Sequence, residues 1–293
     1  MKKIVFLLLA VSIFVFSCKS TDTGAFDNPL KGPEVTLEIP ELFLFDPDVV
    51  ENTIEIGISV THPVPIKDWS ISIHPNRGPR QDDQQRTRRR IFFELNGRGI
   101  VPETWVWNGR GSNAEMVQSA TEYSFILTVN DIFNNKTTTE GVVFTDVIVR
   151  REGDKLRIIV PSIVFPSDRS DLSLVTNEDD IRTNTRVLRL IARALNRFED
   201  YNITVEGHAN PLTHPTANRG VTRNNEEVRE LQPLSLARAQ AVIDYLVENG
   251  NIARSRLTPI GLGGTRTIVA WDNTEENWKN RRVEFILVLP SAE

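Results

Sequence analysis

The chain has 293 residues, 40 % hydrophobic and 25 % charged, with a formal net charge of −5 and one cysteine. The acidic balance excludes nucleic acid as an expected partner, and a lone cysteine excludes an intrachain disulfide framework. Length and apolar content suit two ordinary globular domains.

At the N-terminus, Lys2 and Lys3 precede an apolar run from Ile4 to Phe16. The run has the length of an export-signal core and falls short of the about 20 residues a spanning helix needs. Ser17-Cys18 follows at once. A small residue before the cysteine, after an apolar run, resembles a lipobox, although Val15 and Phe16 are bulkier than the usual pair. Residues 1–17 are therefore expected to be a lipoprotein signal peptide and Cys18 the lipidated residue; a secretory signal with an incidental cysteine is the alternative. Lipidation accounts for an exported chain keeping one thiol, and it supplies more than one acyl chain, enough for stable anchoring. Loss of the leader takes the net charge to −7. Lys19, where some bacteria use Asp for inner-membrane retention, points to the outer membrane, facing the periplasm. Residues 18–33 are small, polar and Gly/Pro-containing and read as a tether. No later stretch is apolar enough to span a bilayer.

Residues 34–152 carry the period of strands. Val35, Leu37 and Ile39 alternate with polar neighbours, as do Ile54, Ile56 and Ile58, then Trp69, Ile71 and Ile73. Further β-rich runs are 91–95, 123–129 and 142–149, separated by turn residues such as Asn96-Gly97-Arg98-Gly99 and Asn134-Asn135-Lys136. Short alternating strands at regular spacing predict an all-β antiparallel sandwich. Trp105-Val106-Trp107-Asn108-Gly109, followed by Tyr123 and Asp131, resembles FlgD-type Ig-like domains. Trp105 or Trp107 is expected to fill the inter-sheet core, with Asn108-Gly109 turning the chain. Arg77 to Arg90 holds six arginines and reads as a solvated hairpin loop, or else as a patch for lipid head groups or wall polymers.

From residue 153 to 293 the period mixes. Strands are expected at 156–160, 163–165, 203–207, 257–260 and 283–289. Ile181, Leu188, Ile191, Ala192, Leu195 and Phe198 recur at helical steps. Ser235 reads as an N-cap for a helix burying Leu236, Ala239, Ile243 and Leu246 and stopping at Gly250. Asn273 and Glu276 look like a capping pair opening a last helix. The result is an α+β domain, a βαβαβ core with helices on one face of a mixed sheet.

Four motifs carry a resemblance: Val205-Glu206-Gly207-His208-Ala209-Asn210, Leu234-Ser235-Leu236-Ala237-Arg238-Ala239, Gly261-Leu262-Gly263 and Asn280-Arg281-Arg282-Val283-Glu284. Their order and spacing resemble the OmpA-like peptidoglycan-binding domain of OmpA C-termini, Pal lipoproteins and MotB. The resemblance implies a pocket for the diaminopimelate of the wall stem peptide, in which an Asp takes the ammonium and an Arg the carboxylate. Arg238 matches the Arg position, where a guanidinium fork in the first helical turn suits an anion. The Asp position is Asn210, which carries no charge. Three outcomes are open: Asn210 suffices; Glu226, Glu227 or Glu230 restores the charge; or the domain is a structural or protein-interaction module that has lost wall binding. The segment 211–233 is longer than the family's interval. Of the closing arginines, one is expected to pack and Arg281 to face the ligand, with Asn277 on the same rim. A channel-forming helix of the MotB stator type is missing from the pattern.

His208 and His214 lack a third residue at metal-ligand spacing, so no metal is expected. Ser235 has no nucleophile elbow around it, so no enzymatic activity and no cofactor are expected. The implied partners are peptidoglycan, a membrane through the lipid anchor, and an envelope protein at the Ig-like domain.

Overall fold

The computed structural model describes residues 31–49, 52–76, 91–210, 226–270, 273 and 276–290. The expected signal peptide, Cys18, the tether up to residue 30, the arginine-rich run 77–90 and residues 211–225 with His214 lie outside the described residues.

The first strands are β1 (Glu34–Glu38), β2 (Leu42–Phe43), β3 (Ile54–Thr61), β4 (Ile66–Pro75), β5 (Phe93–Arg98), β6 (Thr104–Trp107), β7 (Glu122–Asp131) and β8 (Lys136–Thr145). They form two sheets, ordered β1-β3-β6 and β2-β8-β7-β4-β5. Ile54, Ile56, Ile58 and Trp107 from the first sheet pack with Ile71, Ile73, Phe125, Leu127 and Val129 from the second in one core. The period-2 pattern puts these side chains on one face of each strand. Trp107 is the tryptophan at the centre, 1 % exposed, while Trp105 is half-buried. Gly109 turns the chain with φ of +73°.

Local expectations shift here for physical reasons. Asn96-Gly97 does not turn: both residues pair with β4 opposite Ser70 and Trp69. A Cβ on Gly97 would lie 2.2 Å from the Trp69 indole, so this glycine makes room for a ring and the turn waits for Gly99. The short β2 pairs in parallel with β8, so the region is not wholly antiparallel.

The hairpin of β9 (Val149–Glu152) and β10 (Lys155–Val160) belongs to a third sheet. That sheet therefore begins at Val149, four residues before the expected boundary at 153. With β11 (Asn202–Gly207), β12 (Leu257–Gly261) and β13 (Val283–Val288) the order is β12-β11-β13-β10-β9. Only β11 and β12 run parallel among its pairs. Ile158, Val160, Ile203, Val205, Phe285 and Leu287 point to one face, where α1 (Glu178–Leu195) and α2 (Gln232–Gly250) cover them. None of the helices in the described residues is long and apolar enough to cross a membrane.

Three helical expectations need correction. Ser235 is not an N-cap. Helical structure begins earlier, through a π-helical turn at Glu227–Leu231 in which the Gln232 N–H reaches back to Glu227 O. Pro233 follows at once; its missing N–H and its ring disfavour an ordinary α turn, and the widened turn accommodates both. The earlier start rotates the buried face to Ser235, Arg238, Ala239, Val242, Ile243 and Leu246, leaving Leu236 43 % exposed. Gly250 is still helical, and Asn251, with φ of +55°, makes the left-handed cap. The expected last helix is a single 3-10 turn, Asn277–Asn280. Asn273 does accept the Glu276 N–H, but the turn is too short to continue as α-helix. The expected strand at 163–165 is likewise absent: Val164 bonds through both backbone groups to the Asn184 side chain on α1.

In α1, Asn177 caps the first turn by accepting from Asp179 N and Asp180 N. Asp180 is 6 % exposed, and its Oδ1 lacks a hydrogen-bond partner among the described residues. Burial, and then the neighbouring Asp179 charge, push its carboxyl up to about 6. Because the folded value exceeds the unfolded one of about 3.9, the stability tied to this proton is full below about pH 4 and lost as pH rises through about 6. Asp180→Asn is therefore expected to stabilise the chain by about 1–2 kcal/mol near pH 8. That advantage vanishes by about pH 4; thermal unfolding at several pH values measures it.

The two regions touch. Ala120 and Phe144 belong to the core of the C-terminal region, and Ser162 Oγ donates to Ala120 O at 2.6 Å. Arg186 of α1 lies 4.4 Å from the Phe144 ring centroid and donates to Glu41 O. Arg193 pairs with Asp146 at 2.7 Å.

Candidate functional site

Two glycines let α2 lie against the strand ends. A Cβ on Gly207 would come within 2.0 Å of Ser235 O, and one on Gly261 within 2.3 Å of Gln232 O. The close approach seats Ser235, fully buried, so that its hydroxyl accepts from Gly263 N and donates to Gln232 O. Gly263 O in turn accepts from Ala209 N. The Gly207, Ser235 and Gly263 motifs thus form one backbone lattice beside Asn210.

Arg238 sits one turn further along α2 and is 8 % exposed. This is well inside the helix, so the expected help from unsatisfied first-turn N–H groups does not apply. Its partners come instead from the loop after β10. Nε donates to Arg169 O at 3.0 Å and Nη2 to Pro166 O at 3.4 Å, and the guanidinium carbon lies 5.1 Å from the Phe165 ring centroid. Among the described residues no carboxylate lies within 4.0 Å of its nitrogens. Burial, and then the nearby Arg281 charge, lower its pKa to about 10, with Asp168 opposing. Arg238 is thus a buried cation, charged at neutral pH, whose direct contacts among the described residues are carbonyl dipoles and a ring, with the Asp168 charge acting from further away. A buried charge without an opposite partner costs several kcal/mol, which an incoming anion would offset.

Asn210 stands at the end of β11, its Oδ1 accepting from Asn280 Nδ2 at 3.0 Å. Asn280 is fully buried, and its Oδ1 also accepts from Ile268 N and Val269 N. It ties three segments together, a role its place in the motif did not indicate. The two closing arginines differ in setting: Arg282 is buried with Nε 2.6 Å from Glu284 Oε1, and Arg281 is exposed. Asn277 is half-buried and begins the 3-10 turn. Of the three candidate acids, Glu227 accepts the Gly264 N–H on both oxygens at 3.0 Å, Glu226 is buried and Glu230 is exposed.

The first three motifs and the start of the fourth fall inside residues 175–281, which match the OmpA family. Residues 175–281 form an OmpA-like domain. Over 107 residues the chain is 31 % identical to the peptidoglycan-binding protein ArfA of Mycobacterium bovis and to that of Mycobacterium tuberculosis. The aligned stretch is 36 % of this chain, and the chain spans 28 % of the length of these relatives. Among solved structures, a MotB-like protein from Desulfovibrio vulgaris aligns at a TM-score of 0.38 and 23 % identity, over 50 % of this chain and 82 % of that one. The periplasmic domain of Helicobacter pylori MotB aligns at 0.38 and 18 %, over 49 % and 79 %.

On the opposite face of its sheet, the OmpA-like domain buries a charged cluster. His208 Nε2 lies 3.7 Å from Glu206 Oε2 and 3.6 Å from Glu284 Oε1. The three ligand atoms fall within 4.8 Å of one another, a grouping invisible in the sequence because strand register sets Glu206 opposite Glu284. Arg282 already occupies Glu284 Oε1, and Arg157 and Arg266 approach the two carboxylates at 3.6 Å. A cation would have to displace a guanidinium here, so the donor set does not fit a metal and reads as an ion network.

Proposed function

We propose that the chain is a lipid-anchored envelope protein whose OmpA-like domain binds the peptidoglycan stem peptide non-covalently, tethering the outer membrane to the wall. The observation that carries this reading is Arg238, a buried cation with no carboxylate at ion-pair distance among the described residues. The ligand's carboxylate fills that role, and a guanidinium fork matches it. The peptidoglycan-binding name of the ArfA relatives supports the ligand class. The Lys2-Lys3, apolar-run and Ser17-Cys18 order supports the anchor. The β-rich region is an Ig-like sandwich between lipid and wall and offers a surface to an envelope protein. Its support is Trp107 at the core and Tyr123, whose hydroxyl accepts the Gln118 N–H at 2.8 Å, as in a tyrosine corner.

Fractionation of cells expressing the full chain tests both ends of the tether. Wild type is expected with both membranes and sacculi. Arg238→Gln keeps the membrane but loses about tenfold or more in sacculus retention, while Cys18→Ser does the reverse. Equal retention of wild type and Arg238→Gln on sacculi would sink the site, and unchanged membrane association of Cys18→Ser the anchor. One observation favours the rival reading of a structural module without wall affinity: Asn210 already spends its amide oxygen on Asn280. That reading predicts no retention of wild type.

A further inference from the structure

We propose that the tip of the β7–β8 hairpin, Ile132-Phe133, dips into the bilayer surface beside the lipid anchor. The inference rests on the anchor reading above and adds to it a second contact, made by the protein itself.

The tip is apolar where turns are ordinarily polar. Ile132 is 50 % and Phe133 54 % exposed, side by side at the apex of two ten-residue strands. Single exposed apolar side chains are common, but this pair is held out by a built turn. Asp131 is fully buried; it accepts from Phe133 N, Asn135 N and Asn135 Nδ2 and lies 2.9 Å from His62 Nε2. Ile132 N donates to Pro65 O, and Lys67 Nζ to Asn134 Oδ1 at 2.7 Å. Asn134 takes φ of +63°, a left-handed conformation that Asn tolerates. The turn is thus fixed with both apolar side chains left in solvent.

The place where the chain enters decides what covers the tip. Gly32 lies against the hairpin: a Cβ there would be 2.9 Å from Thr137 Oγ1 and 3.8 Å from Asn135 Cβ. Glu34 pairs with Thr61 at the same end. Residues 19–30 separate Cys18 from Lys31, a reach of at most about 45 Å. An acylated Cys18 therefore keeps this end the nearer one to the bilayer. The far end of β8, at Phe144, meets α1 through Arg186, about 30 Å away along the strand. The tip and the OmpA-like domain lie at opposite ends of the β-rich region, as a bridge from membrane to wall requires. Charge agrees: Lys31, Lys67 and Lys136 are exposed around the tip, and the exposed Glu34 is paired with Lys31 at 2.8 Å. Lysines ringing an apolar apex suit phosphate head groups, with the apolar pair at the acyl boundary.

The test is spin labelling of the full chain, purified with its lipid and reconstituted into vesicles of phosphatidylethanolamine and phosphatidylglycerol. An acylated Cys18 takes no label, so Ile132→Cys, Phe133→Cys and Glu55→Cys each carry a single nitroxide. Glu55 is exposed on β3, six residues and about 20 Å back from Thr61, and serves as the reference. On vesicles, the labels of Ile132→Cys and Phe133→Cys are expected to lose access to a water-soluble nickel chelate and gain access to oxygen. The label of Glu55→Cys is expected to stay open to nickel. Equal nickel access for Phe133→Cys and Glu55→Cys on the vesicles would overturn this inference and leave the anchor standing. Spin–spin broadening in Phe133→Cys would place a second copy on the tip and overturn it too. A wild-type chain that takes label at Cys18 and does not associate with vesicles overturns both readings.

Discussion

Gly207→Ala is expected to cost the C-terminal region about 3 kcal/mol, the upper end for forcing an extra methyl into a packed interior. The added Cβ would sit 2.0 Å from Ser235 O and 2.7 Å from Ser235 C. Both are backbone atoms, so no rotamer change relieves the clash and α2 must move away from β11. The movement stretches the Ser235 Oγ bond to Gly263 N and carries Arg238 away from the Phe165–Arg169 loop. Destabilisation and loss of sacculus retention are therefore expected together. Calorimetric unfolding is expected to show a fall of roughly 6–12 °C in Tm, with faster amide exchange in β11. A Tm within about 2 °C of wild type would show that the helix yields without cost.

Trp107→Ala is expected to destabilise the N-terminal region by about 3–5 kcal/mol, the usual range for emptying a fully buried aromatic site. Trp107 is 1 % exposed, with ring centroids of Phe43, Phe92, Tyr123 and Phe125 between 5.3 and 6.1 Å away. Its indole N–H donates to Arg110 O at 2.9 Å, which fixes the turn at Asn108-Gly109. The alanine variant loses both the ring contacts and the turn, and Trp107→Phe only part of each. The expected order of Tm is wild type, then phenylalanine, then alanine. Equal Tm for wild type and Trp107→Ala would place the weight of that core elsewhere.

Much of the fold was legible because its signals are local. Period-2 alternation marked β1, β3 and β4, and helical steps at Leu188, Ile191, Ala192 and Leu195 marked the buried face of α1. Signals that depend on neighbours misled. Asn96-Gly97 has the chemistry of a turn, yet the Trp69 ring across the sheet needs a glycine there. Ser235 has the chemistry of an N-cap, yet the π-helical turn before Pro233 places it inside the helix. The candidate site followed the same division. Arg238 and the Asn280-Arg281-Arg282 run stood out as motifs. Asp168 and the carbonyls of Pro166 and Arg169 carried no signal, because their roles arise from Arg238, some seventy residues away in the chain, and Asn184 carried none because its partner Val164 is 20 residues away.

What the sequence by itself determined is therefore the β-rich and mixed α/β division, the order of the longer strands and the two long helices, and the OmpA-like motifs, since all of these rest on spacing along the chain. Only the tertiary structure decided that Arg238 is a buried cation wrapped by the loop after β10. It also decided that Asn210 is turned toward Asn280, and that Asp168 is the acid whose charge bears on that cation. Burial and charge proximity depend on distances through space, and a one-dimensional pattern does not encode them.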